Sequence, residues 1–213
     1  MGIKALKWRL LKRKLLRKKR QTSIVVAALA LTLLIGFSYA QNYFMNSKID
    51  NANFSHLLDT IAKGESRGNY NAYYGNASNT SILFTNMTVK QVLLWQEEYV
   101  KQGSPSSAVG KYQFIRPTLQ GLVKEHGIDT EAKFDKQLQD ELAIKLLERR
   151  GVGDYLDQKL SREEFAANLA KEWAALPRVI GPNPEQSYYA GDGLNKVQVS
   201  IADIFQALDT LKT

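Results

Sequence analysis

The chain has 213 residues, enough for one globular domain and an appendage. Its formal charge of +8 is concentrated at one end: residues 1–20 hold ten Lys or Arg and no acid, residues 21–40 hold no charge, and the remainder nets −2, so the overall charge is no sign of a nucleic-acid-binding surface on the domain itself. Cysteine is absent and His56 and His126 are the only histidines, which removes disulfides, thiolate metal sites and His-rich zinc sites and disfavours a Ser-His-Asp triad.

In chain order, residues 1–23 form a basic cytoplasmic arm. Its interspersed Leu6, Trp8, Leu10, Leu11, Leu15 and Leu16 suit an interfacial helix on anionic lipid. Residues 24–40 are an uninterrupted apolar run, Ile24 to Ala40. As a helix it would span roughly 25 Å, slightly short of a hydrocarbon core of roughly 30 Å. The Lys and Arg excess before it orients the arm inward and the rest of the chain across the membrane. Two outcomes stay open: an uncleaved single-pass anchor, favoured by the long basic arm, or a signal segment cut after Ser38-Tyr39-Ala40 and a secreted domain. Residues 41–53 read as a polar tether and residues 54–213 as the working domain.

Phe54 to Lys63 is predicted as the first helix, capped by Asn53 or Ser55. Residues 69–86, rich in Asn, Ser, Thr and Tyr, predict a loop and a small β-hairpin. Thr88 and Gln91 make a capping box for a helix to about Lys101, with Val92, Trp95 and Tyr99 inward. Pro117 opens a helix ending before Gly127, and Lys136 to Arg150 is an amphipathic helix stopped by Gly151. Ser161 and Glu164 open another, predicted to run to about Ala175. Residues 181–193 are a loop, and Val197 to Leu211 the last helix. The expected fold class is α+β, mostly α, with one small β-hairpin region and one N-terminal transmembrane or signal helix.

Within this frame Glu65 stands out. Leu57, Leu58 and Ile61 set an apolar helical face, and counting on by three and four places Glu65 on it, between Gly64 and Gly68. A carboxyl group facing the core beside an opening is partly desolvated. Desolvation raises its pKa toward that of a general acid at neutral pH. Two further segments accompany it: Gly110-Lys111-Tyr112-Gln113 and Trp173-Ala174-Ala175-Leu176-Pro177.

Together with Glu65, in this order and spacing, those segments resemble the phage lambda endolysin family of lytic transglycosylases in the lysozyme superfamily, over about residues 54–211. The basic arm and apolar run are departures from that pattern, as is the Tyr188–Gly193 loop. The resemblance implies a lysozyme-like catalytic domain that cleaves the β-1,4 bond between N-acetylmuramic acid and N-acetylglucosamine in peptidoglycan. It implies Glu65 as the single catalytic acid and then base, closing a 1,6-anhydro ring with the sugar's own 6-hydroxyl. An intramolecular nucleophile needs no second carboxylate. The alternatives are a hydrolysing muramidase and a non-catalytic, membrane-anchored peptidoglycan-binding module.

Substrate-binding candidates follow. Ser66 could orient the Glu65 carboxylate or cap the helix, and Gln113 could bond the N-acetyl group or Glu65. Gly110 would let backbone approach the sugar, and Tyr112 could pack on Glu65 or donate from its hydroxyl. Tyr70, Tyr73 and Tyr74 could stack on pyranose faces or fill a hairpin core. Trp173, Arg178 and Tyr188 complete the set. No metal or other cofactor is expected. The expected partners are peptidoglycan glycan strands and, through residues 24–40, the membrane, with no nucleic acid; the expected state is a monomer with an extracytoplasmic C-terminal domain.

Overall fold

The computed structural model describes Leu31, Leu34, Ile35 and residues 48–212, and the portion from Ile49 onward folds as one compact unit. The apolar 24–40 segment lies, but for those three residues, outside what is described. Among the described residues no helix is long and apolar enough to cross a membrane.

Helix α1 (Ser55–Ser66) forms because Leu57, Leu58 and Ile61 repeat along one face, and all three are buried. Burying each of them is worth about 1.5–3 kcal/mol. It runs three residues beyond the sequence expectation and carries Glu65 inside its last turn. Gly64 does not stop it. The stop comes at Arg67, whose backbone is left-handed (φ 56°), with its N–H and that of Gly68 both turned back to the Ala62 carbonyl. At the other end Asn53 Oδ1 accepts from the Ser55 N–H at 3.0 Å.

Helix α2 (Val89–Lys101) starts at the predicted capping box: Thr88 Oγ1 accepts from Gln91 N–H, and Gln91 Oε1 from Thr88 N–H. Helix α3 (Arg116–His126) begins with Pro117 in its first turn and ends at Gly127, again left-handed. Helix α4 (Lys136–Arg149) is capped by Asp135, and the short α5 (Val152–Leu156) follows Gly151. Helix α6 (Arg162–Ala170) starts at the Ser161–Glu164 capping box, and α7 (Ile201–Asp209) at Ser200. α1 packs on α7, α2 on α3, α4 on α5, α5 on α6, and α6 on α7. Phe84, Phe114, Phe134, Tyr155 and Phe165 fill the core between them.

Three expectations are corrected. Among the described residues there is no continuous strand. The hairpin region consists of isolated bridges, Tyr73 with Asn76 and Val109 and Val109 with Phe114, because side-chain amides such as Asn69 and Asn79 take the backbone bonds that a ladder would use. Helix α6 stops at Ala170, not Ala175, and α7 begins at Ile201, not Val197. The backbone released between Lys171 and Ser200 is what reaches Glu65.

Two amides on apolar helix faces bind the chain between α2 and α3 to its surroundings. Gln96, on the face of α2 beside Val92, donates from Nε2 to the carbonyls of Ser107 and Phe114 (2.7 and 2.8 Å). Gln139 of α4 accepts from the Lys111 N–H (2.9 Å) and donates to the carbonyls of Tyr70 and Phe134. Both are fully buried. Fully satisfied donors at this depth hold the 107–114 loop in one conformation.

Candidate active site

Glu65 is half-buried and lies where two hollows meet. The smaller, of about 520 Å³, is bounded by the 73–78 turn, Arg67 and the 194–198 segment. The larger, of about 890 Å³, runs toward α2, the start of α3 and Trp173. Glu65, Tyr74, Gln113, Ala174, Leu194 and Asn195 line both, so the two form a groove with the carboxyl near its middle.

The electrostatics of Glu65 follow from that position. Burial pushes its carboxyl up from the ordinary 4.5 to about 7, against the opposing pull of the Ala175 N–H, which donates to Glu65 Oε1 at 3.0 Å. That backbone donor is free only because α6 has ended. Its position is set from both sides. Ser187 Oγ donates to the Ala174 carbonyl at 2.8 Å, and the N–H groups of Gln198 and Val199 donate to the Ala175 carbonyl.

Gly64 makes this approach possible. A β-carbon there would stand 2.8 Å from Val199 Cγ2 and 2.9 Å from Ala175 Cβ. Gly64→Ala is therefore expected to push α1 off the 175–199 backbone, destabilising the fold by about 1–3 kcal/mol. The Ala175 bond lowers the Glu65 pKa, so losing it should carry the alkaline edge of any activity profile upward. Denaturation midpoints and a pH–rate profile check both effects.

The other carboxylates of the groove are held by cations. Glu97 bonds Lys101 (2.8 Å) and Arg116 (2.9 Å), and its hydrogen bond from Lys101 keeps its pKa below the ordinary value. Glu172 pairs with Arg150 at 2.7 Å. Glu65, by contrast, makes no ion pair among the described residues, and its carboxyl is raised.

A family model described as Endolysin matches residues 55–199, which takes in the helix that carries Glu65, the 107–114 loop and the Trp173–Ala175 turn. The chain belongs to the Endolysin family. It is accordingly a cell-wall lytic enzyme in its broad class, with peptidoglycan as the substrate. No curated protein and no solved structure matches the chain.

In this endolysin the residues singled out from sequence separate into two groups. Gln113, Tyr73 and Trp173 join Glu65 along the groove. Gln113 is left-handed (φ 50°), and its Nε2 donates to the Gly110 carbonyl at 2.9 Å. Tyr73 presents part of its ring to the smaller hollow, and the rest packs edge-on against Phe84, Trp95 and Tyr99. Trp173 lines the larger hollow but is nearly all core.

The second group is corrected. Ser66 is fully buried, and its hydroxyl donates to the Lys111 carbonyl at 2.7 Å, so it clamps loop to helix and offers nothing to a sugar. Gly110 (φ 80°) is needed for its backbone and for Gln139, which occupies the space a β-carbon would take; the close neighbour is protein, not substrate. Tyr70 lines neither hollow. Its hydroxyl donates to Asp140 (2.8 Å) and accepts from Lys111 Nζ (3.2 Å). Tyr112 touches the larger hollow but is 1% exposed and donates to Asp140 at 2.6 Å. Tyr70, Lys111, Tyr112, Asp140 and Asp59 thus make a structural network behind α1.

Arg178 and Tyr188 line a separate hollow with Leu160 and Glu164. Arg178 donates to the Ser187 carbonyl at 3.0 Å, so it braces the residue that holds Ala174.

Sequence reasoning missed Lys196 as a groove residue and gave Arg67 and the Ala175 N–H no role of their own. A backbone donor has no signature of its own. Gly64 offered one: a glycine inside a helix costs about 1 kcal/mol relative to alanine, which signals a packing requirement.

Proposed function

We propose that this domain is a lytic transglycosylase that cleaves the MurNAc–GlcNAc β-1,4 bond with Glu65 as its single catalytic carboxyl. The observation that carries this is the isolation of Glu65. It is the groove carboxyl with a pKa raised to about 7, while Glu97 and Glu172 are tied to Lys and Arg. A carboxyl at that value is substantially protonated at neutral pH and can act as general acid. A second carboxylate free to activate water, as two-carboxylate glycosidases require, has no counterpart among the described residues lining the groove.

In the mechanism Glu65 protonates the bridging oxygen as the bond from the muramyl C1 to that oxygen breaks, and the released sugar leaves as an alcohol. The Glu65 carboxylate then takes the proton of the same muramyl 6-hydroxyl as that oxygen bonds to C1. The 1,6-anhydro ring closes, Glu65 is again protonated, and no water is consumed. The Ala175 N–H steadies the carboxylate between the two steps, and holding the 6-hydroxyl near C1 replaces a bimolecular attack with an intramolecular one.

The basic arm and apolar 24–40 run supply the location in this reading. They tether the domain to the outer face of the cytoplasmic membrane, or direct its export if cut near Ala40. Mass spectrometry of muropeptides from purified sacculi tests the chemistry. The expected products end in 1,6-anhydromuramic acid, one water lighter than hydrolytic ends. Reducing muramic ends would establish a muramidase instead, and intact sacculi a binding module.

A further inference from the structure

The two arms of the groove differ in how their cations are neutralised. In the larger hollow Lys101 and Arg116 share Glu97, Arg149 pairs with Glu125, and Arg150 with Glu172, while Lys171 donates to Asn168 Oδ1. In the smaller hollow the cations are Arg67 and Lys196, and the sole carboxyl lining it is Glu65. Neither side chain makes an ion pair or hydrogen bond among the described residues. Asp192, the acid nearest Lys196 in sequence, is occupied by the N–H groups of Leu194 and Asn195 at 2.9 Å each.

Arg67 also sits in left-handed backbone directly after the catalytic helix, where glycine or asparagine is the ordinary choice. Of the five described non-glycine residues with left-handed backbone, Arg67 and Gln113 both line this groove. Left-handed non-glycine backbone costs of order 1–3 kcal/mol and persists where the surroundings hold it, often at ligand-binding positions.

We propose that Arg67 and Lys196 form a carboxylate-recognising subsite for the acidic stem peptide of the glycan strand. This deepens the reading of Glu65 as the cleaving acid and rests on it. Muramic acid carries its peptide through the lactyl group, and that peptide bears free carboxylates. In peptide-bearing wall the lactyl carboxyl is tied up as the amide to the stem, so the free carboxylates are the stem's own; removing the stem frees one lactyl carboxylate on each muramyl residue. Two exposed, unpaired cations beside the scissile position pair with such carboxylates and give nothing to a strand whose carboxylates are blocked. The subsite therefore sets a preference for peptide-bearing wall and aligns the muramyl residue on the Arg67 side of Glu65.

The test compares the full-length protein with Arg67→Gln/Lys196→Gln on three substrates: peptide-bearing strands, strands stripped by an amidase with the freed lactyl carboxyl then amidated, and peptide-bearing strands with their carboxylates amidated. The parent should favour the first over the other two by about three- to tenfold in kcat/KM, the range that two exposed ion pairs supply. The preference should reside in KM and weaken with added salt. The double variant should lose the preference while its thermal midpoint stays within about 1 °C of the parent. A parent that treats all three substrates alike overturns the proposal, as does a preference that survives amidation or the double substitution. A parent that cleaves none of them, or a Glu65→Gln variant that cleaves as the parent does, defeats the Glu65 reading instead.

Discussion

Glu65→Gln should lower the release of soluble muropeptides from purified sacculi by at least about a thousandfold, since a positioned general acid supplies about 10²–10⁴ and here the same group is also the base. The fold should survive, because Gln retains an oxygen to accept from the Ala175 N–H. In the parent, cleavage should decline as pH rises through about 7, tenfold per unit beyond it, as the acid loses its proton.

The same carboxyl links stability to pH. Its folded pKa of about 7 lies above the ordinary 4.5, so the fold binds this proton more tightly than the unfolded chain does. The stability it contributes is fully present below about 4.5 and lost as pH climbs through 7, a difference of at most about 3 kcal/mol. Gln cannot ionise. The variant should therefore match the parent in thermal midpoint at pH 4 and exceed it at pH 8.5. Equal midpoints at pH 8.5 together with a flat activity profile would show Glu65 titrating as a free glutamate, and general-acid catalysis by this residue would fail.

Asp140→Ala should have the largest effect on stability. Asp140 accepts from the hydroxyls of Tyr112 and Tyr70, and its carboxylate lies 3.9 Å from Lys111 Nζ. Lys111 is nearly buried and spans from Asp59 on α1 to the ring faces of Tyr70 and Tyr112. Burial opposes its charge, but the contacts with Asp59, Tyr70 and Asp140 outweigh it and raise the ammonium pKa. Burial and the Asp140 bond together push the Tyr112 phenol far above its usual range.

Removing Asp140 leaves a buried hydroxyl without an acceptor and a buried ammonium short of a counter-charge. The cost should be about 2–3 kcal/mol, discounted because the Asp140 side chain is 36% exposed. For a domain of this size that lowers the thermal midpoint by about 5–10 °C. Adding Tyr112→Phe should cost less in the Asp140→Ala background than alone, because the orphaned hydroxyl has been removed. Strict additivity would show that the two side chains do not act as one network.

How the site could be read in advance varied with the kind of interaction. Glu65 was legible because helical periodicity places it on the buried face, and a carboxyl on such a face is rare without a purpose. Thr88, Ser161 and Gly127 were legible because capping is a local bond between near neighbours in sequence. Tyr70 and Tyr112 misled because an aromatic beside a candidate acid looks the same whether it faces a sugar or an aspartate 70 or 28 residues away. The expected hairpin failed for a related reason: Asn69 and Asn79 divert its backbone bonds, and turn composition does not reveal where an amide will point.

The amino-acid sequence by itself determined most of the helices, the Thr88 and Ser161 caps and the place of Glu65 on the apolar face of α1, since each follows from side-chain spacing within a few residues. Only the tertiary structure decided what surrounds that carboxyl: the early end of α6, the bare Gly64 that admits the 175–199 backbone, the Ala175 N–H, and the unpaired Arg67 and Lys196. These depend on chain segments 110 or more residues apart closing on one point, and burial, unlike periodicity, exists only once they have met.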